Sequence, residues 1–287
     1  MQTVKTRVRP FAPDDYAAYV EVANRSYPEY GWTVEELRHE DDGWDHKRYF
    51  RVRLVAEADG AVVGAAEVHH SRGSFNPDTY WLDVTVDPDQ RGRGHGSALY
   101  DAVLGALAER RGRLVRASAK ESMTDGVRFL ERRGFLEAKR DWESRLFVRD
   151  FDGAKFAAAP ERVRAAGIRI TTLAEEMARD AEAVDKAFEL WSDTRRDVPS
   201  LDPVTPIDFA LFRQDSIESP GALLDAFFIA VEGDRWVGLS NMFRSLEDPS
   251  FLWQGLTAVR RDARGKGVAM ALKLETVKYA QRLGVEH

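Results

Sequence analysis

One pattern of strands and turns occurs twice in the chain, and this internal repeat limits the possible folds more than any other feature. In the first half, strands are predicted at residues 49–57 and 62–69, with the turn Asp59-Gly60 between them. Asp-Gly between two β-prone runs is a strong hairpin signal. The sequence therefore predicts a β-hairpin in the first half.

A second hairpin with the same layout is predicted in the second half. Its strands lie at residues 227–231 and 236–243. Gly64 of the first hairpin corresponds to Gly238 of the second, 174 residues later. We interpret this correspondence as the duplication of one domain.

Each hairpin is followed by a third strand, a turn rich in glycine and basic residues, and a helix. In that order, these elements are predicted at residues 81–86, 91–96 and 97–110 in the first copy and at 252–259, 264–269 and 270–283 in the second. Arg91 and Arg264 are 173 residues apart, so a second landmark agrees with the hairpin offset to one residue.

The length of 287 residues suits two domains, since one domain usually holds roughly 100–200 residues. We predict a first domain at residues 1–150, a partly helical linker at 151–167 and a second domain at 168–287. The first domain is expected to open with a strand at 4–8 and a helix at 13–23. The second is expected to open with a strand at 168–170 and a helix at 174–188. Strands mixed with helices predict an α/β (α+β) fold with one sheet in each copy.

The turn between the third strand and the helix predicts an anion site in each copy. The first N–H groups of a helix have no partner within it, and with the helix dipole they attract an anion. Gly92, Gly94 and Gly96 let a bulky anion approach the backbone, while Arg91 and Arg93 add positive charge. The corresponding residues of the second copy are Arg264, Gly265, Lys266 and Gly267. A pyrophosphate fits such a site.

Two other glycine-rich phosphate loops do not match these turns. A dinucleotide-binding loop has Gly-x-Gly-x-x-Gly, but the sixth position counted from Gly92 is Ser97, and from Gly94 it is Leu99. A P-loop has Gly-Lys followed by Ser or Thr, whereas Lys266 is followed by Gly267.

The runs VDPDQRGRGHGSAL (residues 86–99) and VRRDARGKGVAMAL (residues 259–272) resemble the coenzyme A pyrophosphate loop of the GNAT acetyltransferase superfamily. In the first copy, RFLERRGF (residues 128–135) resembles the later helix of that family and its closing Gly-Phe. The resemblance covers nearly all of the first half and about three quarters of a second domain. It implies the tandem, mycothiol synthase-like architecture, with a mixed, strongly bent β-sheet flanked by helices in each domain.

The resemblance also implies an acyl-CoA-dependent N-acetyltransferase that moves an acetyl group from acetyl-CoA to a primary amine of a small molecule. The cofactor residues that it implies are Val84, Val86, Arg91, Gly92, Arg93, Gly94, His95, Gly96, Ser97, Val259, Arg264, Gly265, Lys266, Gly267, Val268 and Ala269. In relatives, a backbone N–H near the position of Val84 to Val86 polarises the thioester carbonyl, and the coenzyme arm lies between two splayed strands. In tandem relatives, one copy performs the chemistry and the other mainly binds the coenzyme.

The sequence departs from the family pattern in three places. Many relatives carry a tyrosine acid after the phenylalanine that corresponds to Phe129, but Leu130 stands here. Many carry a glutamate eleven residues before the loop arginine, where this chain has Tyr80 and Trp253. The second copy also stops 35 residues short of the first when both are counted from the loop arginine, so we expect it to be truncated and to lack its last strands.

Glu67 and Asp83 are the candidate catalytic carboxylates, because each lies in a predicted strand beside the loop. A carboxylate within a sheet is costly unless it is paired or functional, and either group could take a proton from the amine. The alternative is that each pairs with a neighbouring arginine or faces solvent at the sheet surface.

Other polar and aromatic residues have two readings each. Asn241 and Gln254 interrupt apolar strand patterns, where they either bind substrate or bond across strands. Trp32 and Trp44 either line an acceptor pocket or fill the core.

The composition excludes several classes of protein and site. The net charge of −6 disfavours a nucleic-acid binder. The sequence shows neither an apolar run long enough for a membrane span nor a secretory signal, so we expect a cytoplasmic monomer or homodimer. The absence of cysteine excludes disulfides and thiol nucleophiles, and the histidines lack metal-site spacing, so no metal is expected. A non-catalytic acyl-CoA-binding or regulatory protein stays the alternative function.

Overall fold

The computed structural model describes residues 6–108, 110 and 112–287. The chain divides into two compact units. The first holds the described residues up to Asp141 together with Ser200–Thr205, and the second holds Trp142–Pro199 and Pro206–His287. The predicted domain limits at residues 150 and 167 stay a prediction.

The first unit contains a five-stranded mixed sheet in the order β1-β2-β3-β4-β5. Its strands are β1 (Arg7–Pro10), β2 (Arg51–Ala58), β3 (Ala61–His69), β4 (Thr79–Val86) and β5 (Leu114–Arg116). β1 to β4 pair antiparallel, and β5 joins β4 in parallel. The predicted hairpin is confirmed, with Asp59 and Gly60 at φ 51° and 82° as a two-residue turn of this kind requires. The predicted strand at residues 4–8 lies partly outside the described residues.

Four α-helices of the first unit flank this sheet. They are α1 (Tyr16–Ser26), α2 (Val34–Asp42), α3 (His95–Gly105) and α4 (Thr124–Glu131). α3 packs on the face that carries Val68 and Leu82, and its Leu99 and Val103 are fully buried there. It begins two residues before the predicted start, because Gly94 takes the left-handed conformation at φ 93° and ends the preceding turn.

The second unit contains a four-stranded antiparallel sheet in the order β6-β7-β8-β9. The strands are β6 (Ile168–Thr172), β7 (Phe228–Glu232), β8 (Arg235–Arg244) and β9 (Leu252–Val259). The helices around it are α5 (Ala158–Ala165), α6 (Leu173–Met177), α7 (Ala183–Arg195), α8 (Phe209–Ser216) and α9 (Val268–Leu283). α5 lies within the segment predicted as a partly helical linker, and its Val163 belongs to a core cluster of the second unit.

The single helix predicted at residues 174–188 is wrong, since α6 and α7 are separated by a turn. Asp180 lies in that turn, where its carboxylate accepts from the backbone N–H of Glu182 at 2.9 Å and from Lys186 Nζ at 2.6 Å. Aspartate competes in this way with helical backbone bonds, and this break is not visible in the apolar periodicity.

The two units repeat fine details of the same fold. The pairing of β2 with β3 shifts register at Ala56, and the pairing of β7 with β8 shifts at Ala230, 174 residues later. A Cβ on Gly64 would lie 3.1 Å from Leu99 of α3, and a Cβ on Gly238 would lie 3.2 Å from Leu272 of α9. Both glycines therefore allow a helix to approach the sheet closely, as duplication predicts.

Candidate active site and cofactor loops

β4 and β5 pair over only three residues and then part. The paired positions are Thr79 with Leu114, Tyr80 with Val115 and Trp81 with Arg116. β4 continues to Val86. Beyond Trp81, the edge of β4 that faces β5 therefore has no paired strand among the described residues, and we call this stretch the open edge of β4.

The backbone of β4 presents donors at this open edge. Asp87 donates its N–H to the carbonyl of Val63 on the β3 side at 3.0 Å, and alternate residues of a strand direct their backbone groups to opposite edges. The N–H groups of Val84 and Val86 therefore lie at the open edge. The Val86 carbonyl also lies there, where it accepts from Arg91 Nε at 3.1 Å and Ser26 Oγ at 3.2 Å.

The first glycine-rich loop follows β4 and leads into α3. Gly92 and Gly94 have φ values of 74° and 93°, which a side chain would resist. No described atom beyond the chain neighbours lies within 4 Å of a Cβ placed on either glycine. The loop is therefore open, and the N-terminal amides of α3 follow it directly.

Arg133 is a basic residue near this loop that the sequence interpretation missed. Its Nη2 donates to Ser97 Oγ at 2.8 Å, and its guanidinium lies 3.5 Å from the ring centroid of Phe129. The only sequence signal was its place just before Gly134, in the run that resembles the family's closing Gly-Phe. Arg133 adds positive charge at the first turn of α3.

His95 faces the interior and not the loop opening. It is 1% exposed, and Nδ1 lies 2.8 Å from Thr6 Oγ1. Nε2 is buried without a hydrogen-bond partner among the described residues. Burial lowers the pKa of His95, and the charge of Arg93 lowers it further. Only its backbone is therefore available to an anion, and the side chain is neutral at neutral pH.

The second loop has the same backbone but a different environment. Gly265 and Gly267 have φ values of 80° and 87°, and Arg264 Nε donates to the Val259 carbonyl at 3.0 Å, as Arg91 does to Val86. A Cβ on Gly267 would lie 3.5 Å from the guanidinium of Arg162 in α5. α5 therefore lies against this loop.

Carboxylates also form ion pairs with the basic side chains of the second loop. Asp197 accepts hydrogen bonds from both Arg261 and Arg264. The hydrogen bond from Arg261 has the largest effect and that from Arg264 the next largest, and they lower the pKa of Asp197 to about 2. Lys266 Nζ lies 2.6 Å from Glu232. The side chain of Val268 is buried, at the position that corresponds to His95.

The two candidate carboxylates lie in one row across three strands. Arg53, Glu67 and Asp83 are in register on β2, β3 and β4. Glu67 is 8% exposed and accepts from Arg53 Nε at 2.5 Å, so pairing with an arginine, the alternative considered for Glu67, is confirmed. The side chain of Asp83 is 60% exposed. Both carboxylates line a narrow cavity against Tyr19 of α1.

His69 lies beside Asp83 on the same face. Its Nε2 is 3.5 Å from Asp83 Oδ2, and its Nδ1 is 3.1 Å from the carbonyl of His70. Burial lowers the pKa of His69, but the hydrogen bond to Asp83 and the charge of Glu67 raise it more, and the net direction is upward. His70 instead stacks on Tyr80 at 4.6 Å.

A buried network holds Glu67 in place. Arg53 also donates to Asp41 of α2 at 2.9 and 3.2 Å, and Tyr16 and Arg51 donate to the same carboxylate at 2.6 Å each. This ties the end of α2 and the start of α1 to the charged row.

The tryptophans proposed for an acceptor pocket lie in different surroundings. Trp44 is 7% exposed, and Arg51 lies 4.2 Å from its ring centroid. Trp32 is 42% exposed, and its backbone bonds Asn24 at 2.8 and 2.9 Å. Trp44 therefore supports the charged face from within, and Trp32 stays a candidate wall.

The second copy lacks carboxylates at the matching positions. By the offsets of the repeat, Asn241 corresponds to Glu67 and Leu256 to Asp83. Gln254 bonds Ser240 Oγ at 3.2 Å and the Asn241 carbonyl at 2.8 Å, so the cross-strand explanation is confirmed for Gln254. The Asn241 amide oxygen is buried without a partner among the described residues.

Within residues 6–108, 110 and 112–287, no helix is both long and apolar enough to cross a membrane, and no three histidine, aspartate or glutamate side chains form a group that could hold a metal ion.

Together, the partly paired parallel strands β4 and β5, the glycine loop and the following helix make up a mixed α/β domain with an open loop at a helix N-terminus. Residues 17–135 match the family model described as "Acetyltransferase (GNAT) family". Over those residues the chain is therefore similar to the GNAT family, which confirms the predicted resemblance for the first copy.

Relatives and solved structures agree with a tandem arrangement. Mycothiol acetyltransferase of Thermobispora bispora is 35% identical over 138 residues, which are 45% of this chain and 46% of that protein, so the chain spans about half of this relative. A tandem GNAT protein from the clavulanic acid biosynthesis pathway is 16% identical with a TM-score of 0.63, over 97% of this chain and 86% of that one. A GCN5-related N-acetyltransferase from Sphaerobacter thermophilus is 19% identical with a TM-score of 0.61, over 98% and 84%. The predicted fold class is confirmed.

Proposed function

We propose that the chain is an N-acetyltransferase that moves an acetyl group from acetyl-CoA to a primary amine of a small molecule, with the chemistry in the first unit. One observation carries the proposal. β4 combines the open N–H groups of Val84 and Val86, a glycine loop at its end and the exposed carboxylate of Asp83.

The residues present in the first unit fit acetyl-CoA. The open backbone at Gly92 and Gly94 leaves room for a pyrophosphate at the start of α3, and Arg93 and Arg133 add positive charge beside it. The free edge of β4 offers backbone groups to an extended arm. Bound in this way, acetyl-CoA would supply the activated acetyl group.

Asp83 is the group that we assign to proton removal. An alkylamine is mostly protonated at neutral pH and cannot attack in that form, so a carboxylate at the acceptor side of β4 both attracts the ammonium group and takes its proton. Val84 is the next residue of β4, and its N–H is the candidate donor to the thioester carbonyl oxygen. Glu67, held by Arg53, acts as a fixed negative charge beside Asp83.

The second unit is proposed to have a supporting role. Its counterparts of Glu67 and Asp83 are Asn241 and Leu256, neither of which can accept a proton at neutral pH. Its loop arginine is bound by Asp197, and α5 lies against Gly267. Each observation favours the first unit as the reaction site.

The alternative is a non-catalytic acyl-CoA-binding or regulatory protein. Leu130, Tyr80 and Trp253 favour it, because they replace groups that many relatives use. The open cofactor loop suits both functions equally, and the exposed Asp83 beside it favours the enzyme.

Calorimetric titration with acetyl-CoA tests the loops. Gly94→Glu places bulk and negative charge at the proposed pyrophosphate site, so we expect loss of the main binding event. Gly267→Glu makes the same change in the second loop. Gly60→Glu is the matched control, since Gly60 also has a positive φ of 82° and open surroundings but lies in the hairpin turn.

Three outcomes are informative. Loss of binding in Gly94→Glu alone supports the first unit, and retained binding there with loss in Gly267→Glu would move the site to the second unit. A wild-type protein that binds acetyl-CoA but acetylates no amine would favour the regulatory alternative. Absence of any acetyl-CoA binding would contradict both functions.

A further inference from the structure

Residues 200–205 belong to the first unit, although they follow its main part by almost sixty residues. Thr205 donates its N–H to the Gly73 carbonyl at 3.2 Å, and Phe75 donates its N–H to Thr205 Oγ1 at 3.0 Å. Ser200 Oγ lies 3.4 Å from Ser74 Oγ. This segment, Ser200–Thr205, is therefore bound to the connection between β3 and β4.

The same segment carries a carboxylate to the end of β5. Asp202 Oδ1 accepts from Arg116 Nη2 at 2.7 Å, and both side chains are only 14% exposed. Removing one partner of such a pair leaves the charge of the other partner poorly solvated. The charge of Arg116 is therefore neutralised by Asp202, which lies outside the continuous stretch of chain that forms most of the first unit.

Arg116 lies next to the sheet face that carries Glu67 and Asp83, which is the proposed acceptor face. It is in register with Trp81, which is in register with His69, and residues in register lie on one face of a sheet. Asp83 is two residues farther along β4, about 7 Å at the usual strand rise. The distance from Arg116 to Asp83 is thus on the order of a Debye length in physiological salt, about 8 Å.

We propose that Asp202 determines which charge the site prefers at the end of the acceptor opposite its reacting amine. With Asp202 in place, Arg116 presents no net charge, and the carboxylates Glu67 and Asp83 favour amines whose far end is neutral or cationic. Without Asp202, the freed guanidinium favours amines that end in a carboxylate. This inference rests on the proposed function and names the substrate class of the same site: small primary amines without a nearby carboxylate.

Two probes with one spacer test the assignment. 1,5-Diaminopentane and 6-aminohexanoate both carry an amine on five methylene groups and differ in the charge of the far end. The measured quantity is the ratio of their kcat/KM values for acetyl transfer, in wild type and variants. We expect Asp202→Asn to lower the diamine-to-amino-acid ratio about fivefold, as one uncompensated charge at this range implies.

Two further variants separate charge from structure. Arg116→Gln with Asp202→Asn removes both charges, and the ratio should return to within about twofold of wild type. Ser200→Ala removes a contact of the same segment without changing charge and should leave the ratio unaltered. An Asp202→Asn ratio within twofold of wild type, or an equal change in the double variant, overturns the proposal.

The test distinguishes this proposal from the proposed function. If wild type transfers acetyl to neither probe, the proposed activity on simple amines fails, and the inference is judged on calorimetric binding of the two probes. A fivefold shift of the binding ratio in Asp202→Asn then supports it. An unshifted ratio, or no binding of either probe to wild type, overturns it.

Discussion

Glu67 and Asp83 lie directly opposite each other on neighbouring strands, but their environments differ. Glu67 is buried and bonded to Arg53, which fixes its position. The side chain of Asp83 is 60% exposed, and His69 Nε2 lies 3.5 Å from its carboxylate. At the residue scale, position in the sheet therefore separates a carboxylate that is held by an arginine from one that solvent can reach.

Exchanging each carboxylate for its amide should have different effects. Asp83→Asn should lower kcat about a hundredfold at pH 7, with unchanged acetyl-CoA affinity, and the loss should shrink as pH approaches the amine pKa of about 10. Glu67→Gln should mainly lower the free energy of unfolding, by about 1.5–3 kcal/mol, because Arg53 loses a charged hydrogen bond. Steady-state rates from pH 7 to 10 and urea unfolding measure the two effects. A pH-independent loss in Asp83→Asn would contradict its role as base.

His95 should make the first unit sensitive to acid. Its folded-state pKa lies below the unfolded value of about 6.5, so folding favours the neutral imidazole. The stabilisation is complete above pH 6.5 and falls by at most about 1.4 kcal/mol for each pH unit below it, until the folded pKa is reached. His95→Val should remove this dependence. Valine is chosen because Val268 stands at the corresponding position of the second loop.

Urea unfolding of wild type and His95→Val at pH 5 and pH 7.5 measures the effect. The difference between the two proteins isolates His95, because the other histidines are common to both. An identical pH dependence in the two proteins would mean that the imidazole escapes burial when it is protonated.

At the scale of elements, the two glycine loops have the same backbone but different neighbours. Arg91 and Arg264 make the same hydrogen bond to the preceding strand. The difference comes from α5 and from Asp197 near the end of α7, which lie against the second loop only. The two loops therefore differ in the side chains and the helix that lie against them.

Removing Asp197 should release the second loop. In Asp197→Ala, Arg261 and Arg264 lose their carboxylate partner, so the second loop should bind acetyl-CoA more tightly. Calorimetry should then show a second binding event or a second site strengthened several-fold, with the first event unchanged. Asp262→Ala, which removes the partner of Arg235 outside the loop, is the matched control. No change in Asp197→Ala would mean that α5 alone closes this loop.

The sequence predicted local elements well and long-range contacts poorly. The hairpins, the third strands and both loops were predictable because alternation, Asp-Gly turns and glycine spacing are local signals. Leu252–Val259 matches its predicted limits fully. The break at Asp180, the ion pair of Arg53 with Glu67 and the place of Asp202 beside Arg116 depend on residues brought together by folding. Periodicity carries no information about such contacts.

At the scale of the whole molecule, each unit has its own apolar core around its own sheet. The first unit nevertheless depends on Ser200–Thr205 for part of its surface. The two units therefore do not correspond to two independent stretches of chain.

Replacing residues 200–205 with a glycine-serine linker of equal length should destabilise the first unit. Arg116 would lose its partner, and the connection between β3 and β4 would lose the Thr205 bonds. We expect the first unit to melt about 2–4 °C lower for each kcal/mol lost, as is usual for a unit of roughly 150 residues, measured by calorimetry. The same linker in place of residues 245–250, a connection within the second unit, is the control.

The membership of residues 200–205 in the first unit also has a genetic consequence. A duplicated gene can usually be separated again into two working halves, because each half encodes a whole folding unit. Here a cut anywhere between the two repeats would separate six codons from the unit that they complete. A stand-alone first half would need these residues supplied from elsewhere, so recombination that exchanges single halves among tandem relatives should be selected against.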